Sequence, residues 1–193
     1  MAQPLLDAAS SRRAGPGGGE EWLPLADCAE RVPQALMPWL AEPGLLTSRV
    51  REQGGAAVRL RLLRMEPAAL DPQVAQRLGV DDATALLREI EFTCGARRWV
   101  FAQSVFPEST LQRYPWLRGL GEQSLGESLA AIHDVRREPL EFIALRHGHP
   151  LARAAVHGES FDGVLWARRT VYRLGGPPIL VQEVFLPELG RCD

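Results

Sequence analysis

The stretch Thr84–Pro107, TALLREIEFTCGARRWVFAQSVFP, decides how this chain folds. Two β-rich apolar runs flank the turn-forming CGAR, which predicts an antiparallel hairpin. Side chains alternate between faces along a strand. In the first run Leu86, Arg88, Ile90 and Phe92 therefore share one face, and Leu87, Glu89 and Glu91 the other. In the second run Trp99, Phe101, Gln103 and Val105 share a face, which makes Gln103 a buried-amide candidate. Arg88 is thus placed among large apolar side chains. A guanidinium keeps its proton at ordinary pH, and burying it unpaired is costly, so this position calls for an anion or another compensating partner.

A second hairpin lies in LWARRTVYRLGGPPILVQEVF, Leu165–Phe185, with GGPP as its turn. In ILVQEVF, residues Ile179, Val181, Glu183 and Phe185 share a face, and Leu180, Gln182 and Val184 share the other. Both faces are largely apolar, as in a central strand covered on both sides. Glu183 is then the mirror case of Arg88. Two readings stay open. The two residues pair with each other as a structural ion pair. Alternatively they line a cavity for a small anion, with Arg88 holding a carboxylate in bidentate fashion and Glu183 accepting from a hydroxyl or acting as a base.

Outward from the hairpins, AAVRLRLLRMEPA alternates as a strand, and VRREPLEFIALRH reads as one that is irregular at Pro139. LDPQVAQRLG carries a complete set of helix signals: Asp71 as cap, Pro72 at the first position, Gly79 past the end. Pro33 and Gly44 bracket a further helical segment. Thr47 is a candidate cap for LLTSRVREQGG, and short helices are expected in PESTLQRYPWLRGLG and QSLGESLAAIHD. Strands in hairpins with grouped helices predict an α+β fold, an antiparallel sheet with helices on one side. Residues 1–21, rich in Gly, Ala, Ser and Arg, read as a mobile tail, and 22–193 as one domain.

Composition narrows the function. Of 193 residues 46% are hydrophobic and 24% charged, ordinary for a globular chain. The formal charge of -2 offers no basic excess for nucleic acid, although every basic side chain is Arg. Cys28, Cys94 and Cys192 are odd in number and lack CxxC spacing, which argues against a disulfide framework or a cysteine metal site and for a reducing cytoplasm. No apolar run reaches the roughly 20 residues that span a bilayer, and no signal-peptide core opens the chain. Phosphate-loop and GxGxxG motifs are absent. His147 and His149 in RHGHP read as a surface turn, and the adjacent charges of LWARR as a solvated face or ladder pair.

Taken in order and spacing, LLREIEF, WVFAQSVFPESTL, SLGESL and LWARRTVYRLGGPPILVQEVFLP resemble the chorismate pyruvate-lyase family, from about Pro33 to Leu189. The resemblance implies a six-stranded antiparallel sheet with helices over one face. It implies conversion of chorismate to 4-hydroxybenzoate and pyruvate for ubiquinone biosynthesis, by a cytoplasmic monomer without metal or organic cofactor, behind helical flaps. Arg88 would bind the ring carboxylate and Glu183 would lie near the 4-hydroxyl. Leu125 would supply a backbone contact, and Leu46, replacing a family methionine, an apolar wall. Gln103 replaces a family arginine tied to an outer binding site and ligand passage, and cannot supply its charge. Effector-binding domains of bacterial regulators share such a fold, so a non-catalytic binder or an inactive homologue is the alternative; no DNA-binding helix-turn-helix segment is read ahead of the domain.

Overall fold

Both hairpins form where the sequence predicts them, and the sheet grows around them. The computed structural model describes residues 21–192. The tail expected over residues 1–21 lies, except for Glu21, outside them. The strands are β1 (Val58–Ala69), β2 (Thr84–Cys94), β3 (Arg97–Pro107), β4 (Val135–Arg137), β5 (Glu141–Leu145), β6 (Leu165–Leu174) and β7 (Pro178–Phe185). All pair antiparallel in the order β1-β2-β3-β7-β6-β4, and β5 also docks on β6. The sheet is six positions wide, as expected, but has seven strands. The extra one arises at Pro139: proline cannot donate to the ladder, so the run around it is split into β4 and β5, which share β6 as partner.

The helices are α1 (Met37–Leu40), α2 (Leu46–Gly54), α3 (Pro72–Leu78), α4 (Glu108–Arg113), α5 (Leu125–Ala130) and α6 (Pro150–Ala155). Helix α3 uses its sequence signals as written: Asp71 Oδ1 accepts from the N–H groups of Gln73 and Val74 at 2.8 and 3.2 Å, and Gly79 ends the helix at φ 70°. Helix α2 does not. Thr47 sits inside its first turn and is buried, and Leu45 is the capping position.

The cross-strand register sorts the core into two faces. Leu86, Arg88, Ile90 and Phe92 share a face with Ala102, Ser104, Val181, Glu183, Arg168 and Thr170. On it α1 and α2 cover one apolar cluster, and α4 and α5 another. The opposite face carries two further clusters, covered by α6 and α3. The helices therefore do not all lie on one side. The apolar rows on both faces of β2, β3 and β7 require cover on both. A bulge opposite Phe92 and Thr93 makes Trp99 the extra residue of β3. That bulge turns Trp99 away from the face of Phe101 and Gln103 and packs it, fully buried, against Trp39.

Cys94, at the end of β2, and Cys192 are joined in a disulfide across 98 residues of sequence, while Cys28 is buried and free. This corrects the expectation drawn from cysteine number and spacing. The C-terminus returns beside the β2–β3 turn, where the Trp99 indole also donates to the Arg191 carbonyl, and spacing along the chain carries no trace of that approach. Closing so long a loop stabilises a domain by about 2–4 kcal/mol. Reductant is therefore expected to lower the melting temperature of the oxidised protein, and a Cys192→Ser variant should melt at the reduced value with or without it.

Candidate active site

A cavity lies between the Arg88 face of the sheet and the first turns of α2 and α5. Its floor comes from alternate positions of five neighbouring strands: Arg88, Ile90 and Phe92 of β2, Ala102 and Ser104 of β3, Val181 and Glu183 of β7, Arg168, Thr170 and Tyr172 of β6, and Arg137 of β4. The roof is Gly44 to Thr47 on one side and Ser124 to Gly126 on the other. Four of the five expected site residues, Arg88, Glu183, Leu46 and Leu125, line this one space.

Arg88 is 1% exposed, and among the described residues it has no acidic partner. Its Nε and Nη2 donate to the Gly121 carbonyl at 3.1 and 2.9 Å, and Nη2 also donates to the Gln123 carbonyl at 2.7 Å. Neutral carbonyls do not offset the lost hydration, so burial pushes the guanidinium down to about 10. Two consequences follow. The structural ion pair with Glu183 is not formed. The Nε–Nη2 edge is already occupied, so Nη1, with two donors, is the part left for an anion. The carboxylate grip expected from sequence would therefore run through Nη1. Ser104, the cross-strand partner of Arg88, brings a buried hydroxyl to the same wall.

Glu183 is held by Arg168, its cross-strand partner on β6, with Arg168 Nε donating to Oε2 at 2.5 Å. Arg168 is 2% exposed and its Nη1 also donates to the carbonyls of Trp39, Leu40 and Glu42, at 3.1, 3.0 and 3.0 Å. It thus caps the end of α1, where the carbonyls lack helical partners. Of the two readings of LWARR the ladder pair holds for both arginines, Arg168 with Glu183 and Arg169 with Glu141 at 2.8 Å, and the solvated face does not, since Arg168 is buried. One carboxylate oxygen of Glu183, Oε1, remains for a ligand. Tyr172 stands nearby, its phenol pushed up by burial first and by the charge of Glu183 second.

The roof is latched. Thr47 Oγ1 and Ser124 Oγ share a buried hydrogen bond of 2.9 Å, and Ser124 also caps α5 by accepting from the Glu127 N–H at 3.3 Å. Outside them Arg51 pairs with Glu127. A Cβ at Gly126 would stand 3.1 Å from Leu45, so only glycine lets the two first turns meet without displacement. The first N–H groups of α2 and α5, including those of Leu46 and Leu125, have no partner within their own helices. The space beneath is about 60 Å³, well under the roughly 300 Å³ of a typical ligand pocket, so a ligand enters only when α2 and α5 part.

Gln103 does not line this cavity. It lies on the opposite face, donating to Glu89 Oε1 at 2.9 Å and accepting from Gln182 at 3.0 Å, in a ladder that Arg64 closes by its grip on Glu89. His149 caps α6 by accepting from the Leu151 N–H, and His147 stacks on Phe161. Sequence reasoning missed Arg168, Arg137, Ser104, Thr47 and Ser124 as parts of the site. For Arg168 and Ser104 the signal was available, since each falls on the Arg88 face once the two hairpins are paired side by side.

The electrostatics make a direct test. Benzoate, whose only titrating group is a carboxylate, is expected to bind and raise the melting temperature at pH 7–9. Its affinity should fall as pH rises through about 10, where free Arg88 loses its charge. Arg88→Gln should remove both the binding and its pH dependence, as followed by calorimetry.

The family model described as chorismate lyase matches residues 20–190. A protein of Azoarcus sp. (strain BH72), named "Probable chorismate pyruvate-lyase", is 38% identical over 182 residues, covering 90% of this chain and 94% of its own. One of Thiobacillus denitrificans with the same name is 39% identical over 177 residues, covering 87% and 89%. Among solved structures, the effector domain of PhnF from Mycobacterium smegmatis superposes with a TM-score of 0.55 at 20% identity, covering 78% of this chain and 91% of that one, a likeness of fold alone. With the matched region spanning both hairpins, the roof and every cavity-lining residue, this chain belongs to the chorismate lyase family.

Proposed function

We propose that this protein is a chorismate pyruvate-lyase, converting chorismate to 4-hydroxybenzoate and pyruvate. The observation that carries the reading is Arg88, a buried cation with no acidic partner among the described residues, facing the same cavity as Glu183. A small ring bearing a carboxylate and a hydroxyl on opposite sides satisfies both. Arg88 anchors the ring carboxylate through Nη1, and Glu183 accepts from the hydroxyl through Oε1.

The chemistry asks little of the protein beyond this. The bond between ring carbon and enolpyruvyl oxygen breaks, and the hydroxyl-bearing carbon loses its proton. That C–H electron pair becomes the third ring double bond, and the ring becomes aromatic. The departing oxygen keeps its electron pair as the enolate of pyruvate, whose methylene carbon takes up a proton. The proton travels either directly to that methylene in a concerted step or by way of Glu183. Neither route needs a cofactor. What the site supplies is a fixed substrate conformer and exclusion of water, the work of the latched roof. We further place the reaction at the first committed step of ubiquinone biosynthesis, in a cytoplasmic monomer.

Incubation with chorismate, followed by chromatography, is expected to yield 4-hydroxybenzoate and pyruvate in equal amounts. Loss of one charge-assisted anchor costs on the order of 10- to 100-fold or more, so Arg88→Ala and Glu183→Gln should reduce turnover at least that far while circular dichroism stays unchanged. Tight binding of an aromatic acid without turnover would instead point to an effector-binding protein of the same fold.

A further inference from the structure

Resting on the lyase reading, we infer that Arg137 receives the second carboxylate of the substrate, the one on the enolpyruvyl group. The argument begins with charge. Chorismate carries two carboxylates, and Arg88 can neutralise one. Three arginines line the cavity: Arg88, Arg137 and Arg168. Arg168 is spent, with Nε on Glu183 and Nη1 on three carbonyls. The arginines of α2 are also committed, Arg49 to Glu42 and Arg51 to Glu127. Arg137 remains. Among the described residues it forms no ion pair: Nη1 donates to the Gly44 carbonyl at 3.1 Å and the guanidinium also hydrogen-bonds the Tyr172 phenol, both neutral partners that leave its charge uncancelled.

Its place in the sheet fits the role. Arg137 opposes Tyr172 in the β4–β6 register, which sets it on the cavity face. The order β2-β3-β7-β6-β4 separates it from Arg88 by four strand spacings, about 19 Å of backbone. Two long side chains reaching inward from opposite ends shorten that span to the size of one substituted ring. Glu183 and Arg168 occupy the middle, where the hydroxyl is held. Arg88 is buried and Arg137 half-buried beside Gly44, so the ring carboxylate sits deep and the side-chain carboxylate at the mouth. The bond that breaks lies between them. Arg137 therefore holds the leaving group, and its contact is made with substrate and with departing pyruvate but not with 4-hydroxybenzoate.

That asymmetry gives the test. Michaelis constants for chorismate and dissociation constants for 4-hydroxybenzoate are measured on the parent protein, Arg137→Gln and Arg137→Lys. Arg137→Gln should raise the chorismate constant by roughly 10- to 100-fold, the range of a charge-assisted hydrogen bond, with 4-hydroxybenzoate binding unchanged. Arg137→Lys should fall nearer the parent. Unchanged chorismate binding overturns the inference. So does parallel weakening of both ligands, which would mean that Arg137 merely tethers Gly44. If the parent protein turns over no chorismate, the lyase reading fails separately. Calorimetry with intact chorismate then still decides Arg137: equal binding to parent and variant, or none to the parent, overturns it.

Discussion

A guanidinium with no counter-charge governs this structure. Arg88 is among the largest fully buried side chains, and among the described residues its partners are two backbone carbonyls from the segment ahead of α5. Carbonyl dipoles fix its position without cancelling its charge, so the cavity wall carries positive potential inside an apolar core. A buried charge of this kind is tolerated only where the surrounding structure stabilises it by other means. Here four apolar clusters on the two faces of a wide antiparallel sheet supply that stability.

The second arginine–carboxylate element has the opposite character. Arg168 and Glu183 neutralise each other, and three carbonyls at the end of α1 complete the coordination of Arg168. Its consequence is positional. The pair ties β6 to β7 and to the segment leading into α2, so the carboxylate and one side of the roof are set by the same guanidinium. One face of the sheet thus holds a rigid paired charge beside a rigid unpaired one, beneath a roof joined by the weaker Thr47–Ser124 and Arg51–Glu127 contacts. A roof held by few polar contacts over a floor held by many is the arrangement in which the roof moves and the floor does not.

The sequence made both hairpins, the α3 signals and the odd placement of Arg88 and Glu183 readable, because strand alternation and helix caps are local properties. It was less informative where one residue broke the count. The bulge at Trp99 reverses the facing of a single side chain, and Pro139 turns one expected strand into two. Thr47 looked like a cap because its type suits one, yet its hydroxyl serves a partner 77 residues away. LWARR held two open readings, and the cross-strand ladder pair is the one realised, by Arg168 with Glu183 and Arg169 with Glu141. Two adjacent arginines on a strand point to opposite faces, so the two pairs lie on opposite sides of the sheet.

By itself, the sequence determined the fold class, the strand pairing within each hairpin and the presence of two ionic residues on apolar faces. These follow from short-range periodicity. Tertiary structure alone decided the partners. It showed that Arg88 and Glu183 share a cavity without touching, that Arg168 takes the carboxylate, that Gln103 faces away and that Cys94 meets Cys192. Which charge meets which depends on strand order, and β3, β7 and β6 become neighbours through a long connection whose length and composition do not encode its path.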